Sequence, residues 1–343
     1  MKTSTNFPAH PENSRQTPLA GGHPNRAFTL IELVVVMGTL AVLALLLVPA
    51  LAGTKMDVLR LQCQANLKQL QVGMRLFTQD HNDMFPPAAY ATRSWQVSWD
   101  SWIYNYISGG KNVTVSQAAQ GLYVVNSNDA SVFGIGVGLP IVACPVDITL
   151  PKISWMHYNS DPIQPLEFAP RTYAMNSAGT AWATTIQVNP MNGSYPLPDL
   201  NQPNCRGVGI YWQDSTSGYP DWDAKSYKTS VVKDPAGTIL LCENPSNEDP
   251  EGSQWPSVCC GPVVTIANWS SLFQTDLSAP TDAATLHNSS MSYSEGLLLY
   301  PAHGNRFNYL FHDGHVAALS IGQTIGTGTL TAPKGMWTVV PGD

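Results

Sequence analysis

Charge is scarce in this 343-residue chain, and basic charge is the scarcer kind: 17 Lys and Arg stand against 24 Asp and Glu, a formal net charge of −7. A protein that neutralises a phosphate backbone needs a basic face, so no nucleic-acid partner is expected. The six cysteines (Cys63, Cys144, Cys205, Cys242, Cys259 and Cys260) include no Cys-x-x-Cys pair, which excludes a zinc ribbon and a thioredoxin-like motif. The stretch FGIGVGLP (133–140) has glycines but neither a lysine nor a following helical pattern, so it is no phosphate loop. DHNDMF is rich in oxygen donors yet lacks the spacing of a calcium loop. No nucleophile–base–acid set and no fixed-period repeat stands out, and the chain reads as no enzyme. Helical periodicity is missing after residue 81. Gly and Pro, 27 each, crowd polar stretches such as 189–226 and 244–258 that read as loops.

What the chain does have is one long uncharged run, residues 33–52, about 30 Å as a helix and enough to cross a bilayer. A polar leader, residues 1–27, precedes it and carries Lys2, Arg15 and Arg26 against Glu12. Glu32 sits at the start of the apolar run, where a plain membrane anchor has no use for a carboxylate. Beyond Lys55 the pattern turns amphipathic. Leu59, Cys63, Leu67, Leu70, Met74 and Phe77 recur at spacings of 4, 4, 3, 4 and 3, one face of a helix. One helix is therefore expected from Phe28 to His81, kinked at Pro49 and ended by DHNDMFPP.

The remainder reads as short strands and loops. GLYVVN (121–126) and GLPIVACP (138–145) look like buried strands, and 229–245 like two strands around a Pro-Ala-Gly turn. SWQVSWDSWIYNYI (94–107) suits a short helix or a strand. Its Trp95, Trp99 and Trp102 are core residues first and a sugar-binding face second. In RFNYLFHDGHVAALS (306–320), Asp313-Gly314 signals a two-residue hairpin turn. That turn sets His312 opposite His315 and Leu310 opposite Ala317. Phe307, Tyr309, Phe311, Val316 and Ala318 then share the core face. His303 and Asp313 fall at opposite ends of the strand and cannot chelate together, so no metal is expected.

The segment RAFTLIEL (26–33) resembles the processing site of type IV prepilins and type II secretion pseudopilins: a small residue, then Phe, Thr, Leu, Ile, Glu and an apolar run. Further islands resemble prepilin-type proteins of the Planctomycetes–Verrucomicrobia kind. They are CQANLKQLQVGMRLFTQDHNDMFPP (63–87), ACPVD (143–147), TYAMNS (172–177), DPAGTILLCEN (234–244), and His303 followed after nine residues by Asp313-Gly314. Stretches 88–120 and 178–230 carry no such likeness.

The resemblance implies that a prepilin peptidase cuts between Ala27 and Phe28, with Ala27 where glycine is usual, and methylates the new amine. Glu32 becomes the fifth mature residue, one helical turn from that amine, and favours the register of assembly. Removing residues 1–27 leaves side chains summing to −9. The implied fold is α+β and pilin-like. A long N-terminal helix, membrane-spanning in one half and amphipathic in the other, packs on an antiparallel β-sheet domain with long loops. The corresponding segments are a leader (1–27), a transmembrane assembly helix (28–52), an amphipathic helix (53–84) and an extracytoplasmic β-rich domain (85–343). The expected function is that of a structural subunit of a type IV pilus or a secretion pseudopilus. The alternative is a processed surface protein that binds glycan or secretion cargo without forming fibres. Partners would be the peptidase, other pilin or pseudopilin subunits, the assembly platform and membrane lipid, with no cofactor. The place would be the inner membrane, crossed once, with the N-terminus cytoplasmic and the C-terminal domain periplasmic or extracellular. Six cysteines allow three bridges of undetermined connectivity, among which Cys63 with Cys144 is the favoured pair.

Overall fold

The computed structural model describes residues 28–92, 96–109, 139–147, 171–179, 186–188, 206–214, 224–244, 257–259, 261–266, 269–272, 306–329 and 332–342, together with Leu197, Asp199, Leu200, Glu251, Gly252, His303 and Gly304. It divides into two compact units, Met1–Ala52 and Gly53–Asp343.

The first element, α1 (Leu30–Asp80), begins in one unit and ends in the other. In the first unit its apolar side chains lie open, from Leu30 at 81% exposure to Val36 at 47%. Among the described residues, no helix is long and apolar enough to cross a membrane. The expected single-pass anchor in the inner membrane is thereby corrected, and with it the membrane-spanning half of the expected fold.

In the second unit the spacing of apolar residues decides which face of α1 turns inward. Cys63, Leu67, Leu70, Met74 and Phe77 are buried and Leu59 is half-buried, while Leu61, Lys68 and Leu76 stay exposed. The helix stops where Asn82 and Asp83 adopt φ of 54° and 61°, a left-handed conformation that Asn and Asp tolerate better than most residues. Pro86 and Pro87 follow. His81 folds back, stacking its ring on Phe77 at 3.8 Å.

Next come β1 (Ala89–Thr92), β2 (Gln96–Ser98) and α2 (Trp99–Ile107), so residues 96–107 hold both a strand and a helix. α2 lies against α1 at Gly73, where a Cβ would collide with Ile107. Trp99 and Trp102 are buried at 0% and 4% exposure and form no surface platform. Arg171, also buried, donates to Asp100 at 2.8 Å and to Ser98 Oγ at 2.6 Å, and its guanidinium lies 5.9 Å from the Trp99 ring. The other Asp100 oxygen accepts from the Gly252 amide at 2.6 Å.

The later strands are β3 (Tyr173–Asn176), β4 (Ile186–Val188), β5 (Tyr211–Asp214), β6 (Ile239–Glu243), β7 (Val258–Cys259), β8 (Val263–Ile266), β9 (Trp269–Leu272), β10 (Phe307–Phe311) and β11 (Val316–Leu319). A short helix, α3 (Ile321–Thr324), opens with a capping box between Ser320 and Gln323. One sheet runs β2-β1-β5-β4 and a larger one β11-β10-β6-β3-β7, while β8 and β9 form a separate ribbon. The expected antiparallel sheet domain is also corrected: both larger sheets are mixed. β1 and β4 each run parallel to β5, and β3 runs parallel to β7. A parallel pair needs a crossover rather than a hairpin, and these partners are far apart in sequence. β3, β6 and β10 are buried at every residue, which hides the alternation that marks a half-solvated strand.

Two expected strands are turns. Pro140–Val142 is a 3-10 turn, and the carbonyl of Ala143 just after it accepts from Asn66 Nδ2 on α1 at 3.0 Å. Thr229–Val231 is another; its neighbours pair with the exit of α1, Phe85 donating to Tyr227 O at 2.9 Å and Thr229 to Asp83 O at 2.8 Å. The expected leader 1–27, including Ala27, the expected strand 121–126, Trp95, Cys205 and Cys260 lie outside the described residues.

The β10–β11 hairpin forms one residue out of the expected register. Leu310 pairs with Val316 and Tyr309 with Ala317. The amide of Gly314 donates to Phe311 O and that of Phe311 to His315 O, each at 3.0 Å, and Gly314 has φ of 96°. This is a three-residue loop, a turn followed by a glycine bulge. The extra residue moves β11 to its other face. Ala317 and Leu319, rather than Val316 and Ala318, share a side with Phe307 and Tyr309.

Candidate functional site

Three places gather the residues that the sequence singles out. At the start of α1, Thr29 and Glu32 form a reciprocal cap. The Thr29 amide and hydroxyl donate to Glu32 Oε2 at 2.9 and 2.8 Å, and the Glu32 amide donates to Thr29 Oγ1 at 3.3 Å. Thr-x-x-Glu ahead of an apolar run is a capping-box signature, a local role for Glu32 that the reading of the motif as an assembly signal passed over. The Thr29 hydrogen bonds hold its pKa below the ordinary carboxylate value. Phe28 beside it is 83% exposed.

The second place is the Asp313-Gly314 turn. Asp313 Oδ1 accepts from the His315 amide at 2.9 Å and lies 2.7 Å from His315 Nδ1, while the Asp313 amide donates to Pro235 O at 3.0 Å. A Cβ on Gly314 would lie 3.2 Å from Gln71 Cγ. His312 and His315 do not face each other: His315 stacks on Phe311 at 4.2 Å, and His312 meets the edge of Phe85 at 5.1 Å. Among the described residues neither ring nitrogen of His312 finds a hydrogen-bond partner, and burial pulls its pKa down to about 3 against the opposing pull of Asp313. A cleft of about 340 Å³ opens there, bordered by Gln71, Arg75, Asp83, Thr229 and His312.

The third place was not foreseen as a unit. Cys63 on α1 and Cys144 are joined by a disulfide that closes a separation of 81 residues, with Cα atoms 4.9 Å apart. Both partners are pinned. Asn66 holds the Ala143 carbonyl, Thr172 Oγ1 accepts from the Cys144 amide at 2.9 Å, and Tyr173 Oη donates to Cys63 O at 3.3 Å. Over the two sulfurs lies His303, its Nε2 at 3.6 Å from Cys63 Sγ and 3.4 Å from Cys144 Sγ. His303 Nδ1 is 3.2 Å from Glu243 Oε2 at the end of β6. Glu243 is held in turn by Asn308, whose amide donates to Oε2 at 2.7 Å and whose Nδ2 donates to Oε1 at 2.8 Å. Gln64 Nε2 donates to Asn308 Oδ1 at 3.0 Å and so orients that side chain. Cys63, Cys144, Glu243 and His303 are all buried, with their donor atoms within 4.8 Å of one another. The fold thus gives His303 and Asp313 separate partners and adds Glu243, which stands 60 residues from His303 and carries no local sequence signal.

Comparison of the chain with protein families, with characterised proteins and with solved structures returns no match.

Proposed function

We propose that the chain is a prepilin-type structural subunit, cut between Ala27 and Phe28, methylated on Phe28 and assembled with other such subunits through the first part of α1. The observation that carries this reading is a helix with a built start and no cover. Thr29 and Glu32 close its first turn, and apolar side chains from Phe28 to Leu45 stand exposed on all sides. A bare apolar helix of this kind is stable in water only against another apolar surface. The same segment of neighbouring subunits supplies one, with the Phe28 amine of one chain set against Glu32 of the next. Pili and secretion pseudopili share this building plan. The glycan-binding alternative loses its best support, since Trp99 and Trp102 are in the core.

Intact-mass spectrometry of the chain made beside a prepilin peptidase tests the reading. The expected product begins at N-methyl-Phe28, and a chain that keeps residues 1–27 refutes it. Glu32→Gln then separates cap from charge. Glutamine serves equally at this capping position, so the helix start persists. Assembly into filaments, if the charge sets the register, is lost.

A further inference from the structure

The buried cluster of Cys63, Cys144, His303 and Glu243 has a geometry that a disulfide alone does not call for. We propose that it is a redox-gated zinc site. The reduced chain binds Zn²⁺ through Cys63, Cys144 and His303 Nε2, and the disulfide is the metal-free state of the same cluster.

The distances carry the argument. Bonds of about 2.3 Å to sulfur and about 2.0 Å to nitrogen, opened to a tetrahedral angle, separate the two donor atoms by roughly 3.5 Å. His303 Nε2 stands 3.6 Å from one sulfur and 3.4 Å from the other. The histidine is thus already placed for a cation between itself and the thiolates. Reduction frees the two sulfurs to move apart to roughly 3.8 Å, the separation that a shared tetrahedral zinc sets by the same reckoning.

Tautomer and charge agree with this. His303 Nδ1 lies 3.2 Å from both Glu243 Oε2 and Asn308 Nδ2, and Nδ2 also donates to Glu243 Oε1; the zinc state takes the tautomer in which Nδ1 donates to the carboxylate and the Nε2 lone pair is aimed at the sulfurs. Disulfide sulfur has no proton to offer that lone pair. A carboxylate behind a ligating histidine is the usual support of a zinc site, and Asn308 and Gln64 fix that carboxylate. Two thiolates neutralise the dication, which makes burial of the metal affordable where an unpaired charge would not be.

The two states interconvert with a thiol–disulfide exchange partner. An external disulfide accepts two electrons and two protons and leaves as two thiols. The Cys63–Cys144 bond forms from the two thiolates, and Zn²⁺ is released. Reduction by an external dithiol reverses the step: the dithiol closes to its own disulfide, and the two protons on the Cys63 and Cys144 thiols leave as the metal binds.

The test uses the full chain. One sample is oxidised; the other is reduced with a water-soluble phosphine, which takes oxygen from water as it delivers two electrons. Each is offered Zn²⁺, desalted and analysed for metal, with circular dichroism on the same samples. The expected result is one zinc per reduced chain, none on the oxidised chain, and release of the metal on reoxidation. Cobalt(II) should give thiolate-to-metal charge-transfer absorption with the reduced chain and none with Cys63→Ser. His303→Ala should still form the disulfide yet bind zinc at least 100-fold more weakly, and Glu243→Gln about 10-fold more weakly. Should reduction unfold the chain, Zn²⁺ is expected to restore the folded spectrum. A reduced chain that takes up no zinc, folded or not, overturns the proposal. So does zinc uptake unchanged by Cys63→Ser or His303→Ala, or a stoichiometric zinc on the oxidised chain.

Discussion

Replacing Cys63 and Cys144 together by alanine, in the oxidised chain and with chelator present, removes a crosslink that spans 81 residues. In the chain-entropy account, closing a loop of that length restrains the unfolded ensemble by about 4.5 kcal/mol at 25 °C. Residual structure in the unfolded chain lowers that figure, so a loss of about 3–4 kcal/mol is expected. Both cysteines are almost fully buried, and the network that pins them (Asn66, Thr172 and Tyr173) stays in place, so the folded state changes little beyond the lost sulfurs. The assay is urea unfolding followed by tryptophan fluorescence, which reports on the buried Trp99, Trp212 and Trp337. With a slope of about 3 kcal/mol/M for a domain of this size, the midpoint should fall by about 1 M. A double variant whose midpoint and slope both match the parent would refute the reasoning, because the closed loop would then restrain nothing.

Arg171→Met takes the guanidinium from a buried Asp100 and should cost about 3–5 kcal/mol, measured by the same unfolding curve. Adding Asp100→Asn should recover part of the loss, and failure to recover any would show that the ion pair is not the cause. The His312 ring stays neutral in the folded chain down to about pH 3, whereas an unfolded histidine takes its proton near 6.5. The unfolded state therefore binds more protons between these values, and stability should fall as pH drops from 6.5 towards 3. His312→Phe should flatten that slope in urea titrations at pH 4.5–6.5; an unchanged slope would assign the loss to other groups.

Legibility in the sequence followed how local each cause was. The inward face of α1 from Cys63 to Phe77 could be read because one periodicity sets it, and the end of that helix because Asn82, Asp83 and two prolines mark it. The hairpin was legible as a hairpin, but its register depended on whether Gly314 lies inside a two-residue turn or forms a bulge after it. Both readings suit the same letters. Parallel pairing of β1 with β5 escaped notice because nothing within either strand records a partner so far away. Glu243 lay inside the island DPAGTILLCEN, yet its meeting with His303 is a product of β6 lying beside β10.

The interval between His303 and the Asp313-Gly314 turn works as a gauge. Along β10, Asn308 to His312 measures about 13 Å, and along α1, Gln64 to Gln71 about 11 Å. The two glutamines reach across to Asn308 Oδ1 and to the His312 carbonyl, at 3.0 and 3.4 Å. Strand and helix are thus matched in length between one fixed point at the sulfurs and another at the turn. The nine residues between are therefore held to a number as well as to the identity of buried side chains such as Asn308. One residue more or fewer would leave either the histidine away from the cysteines or the turn away from Gln71.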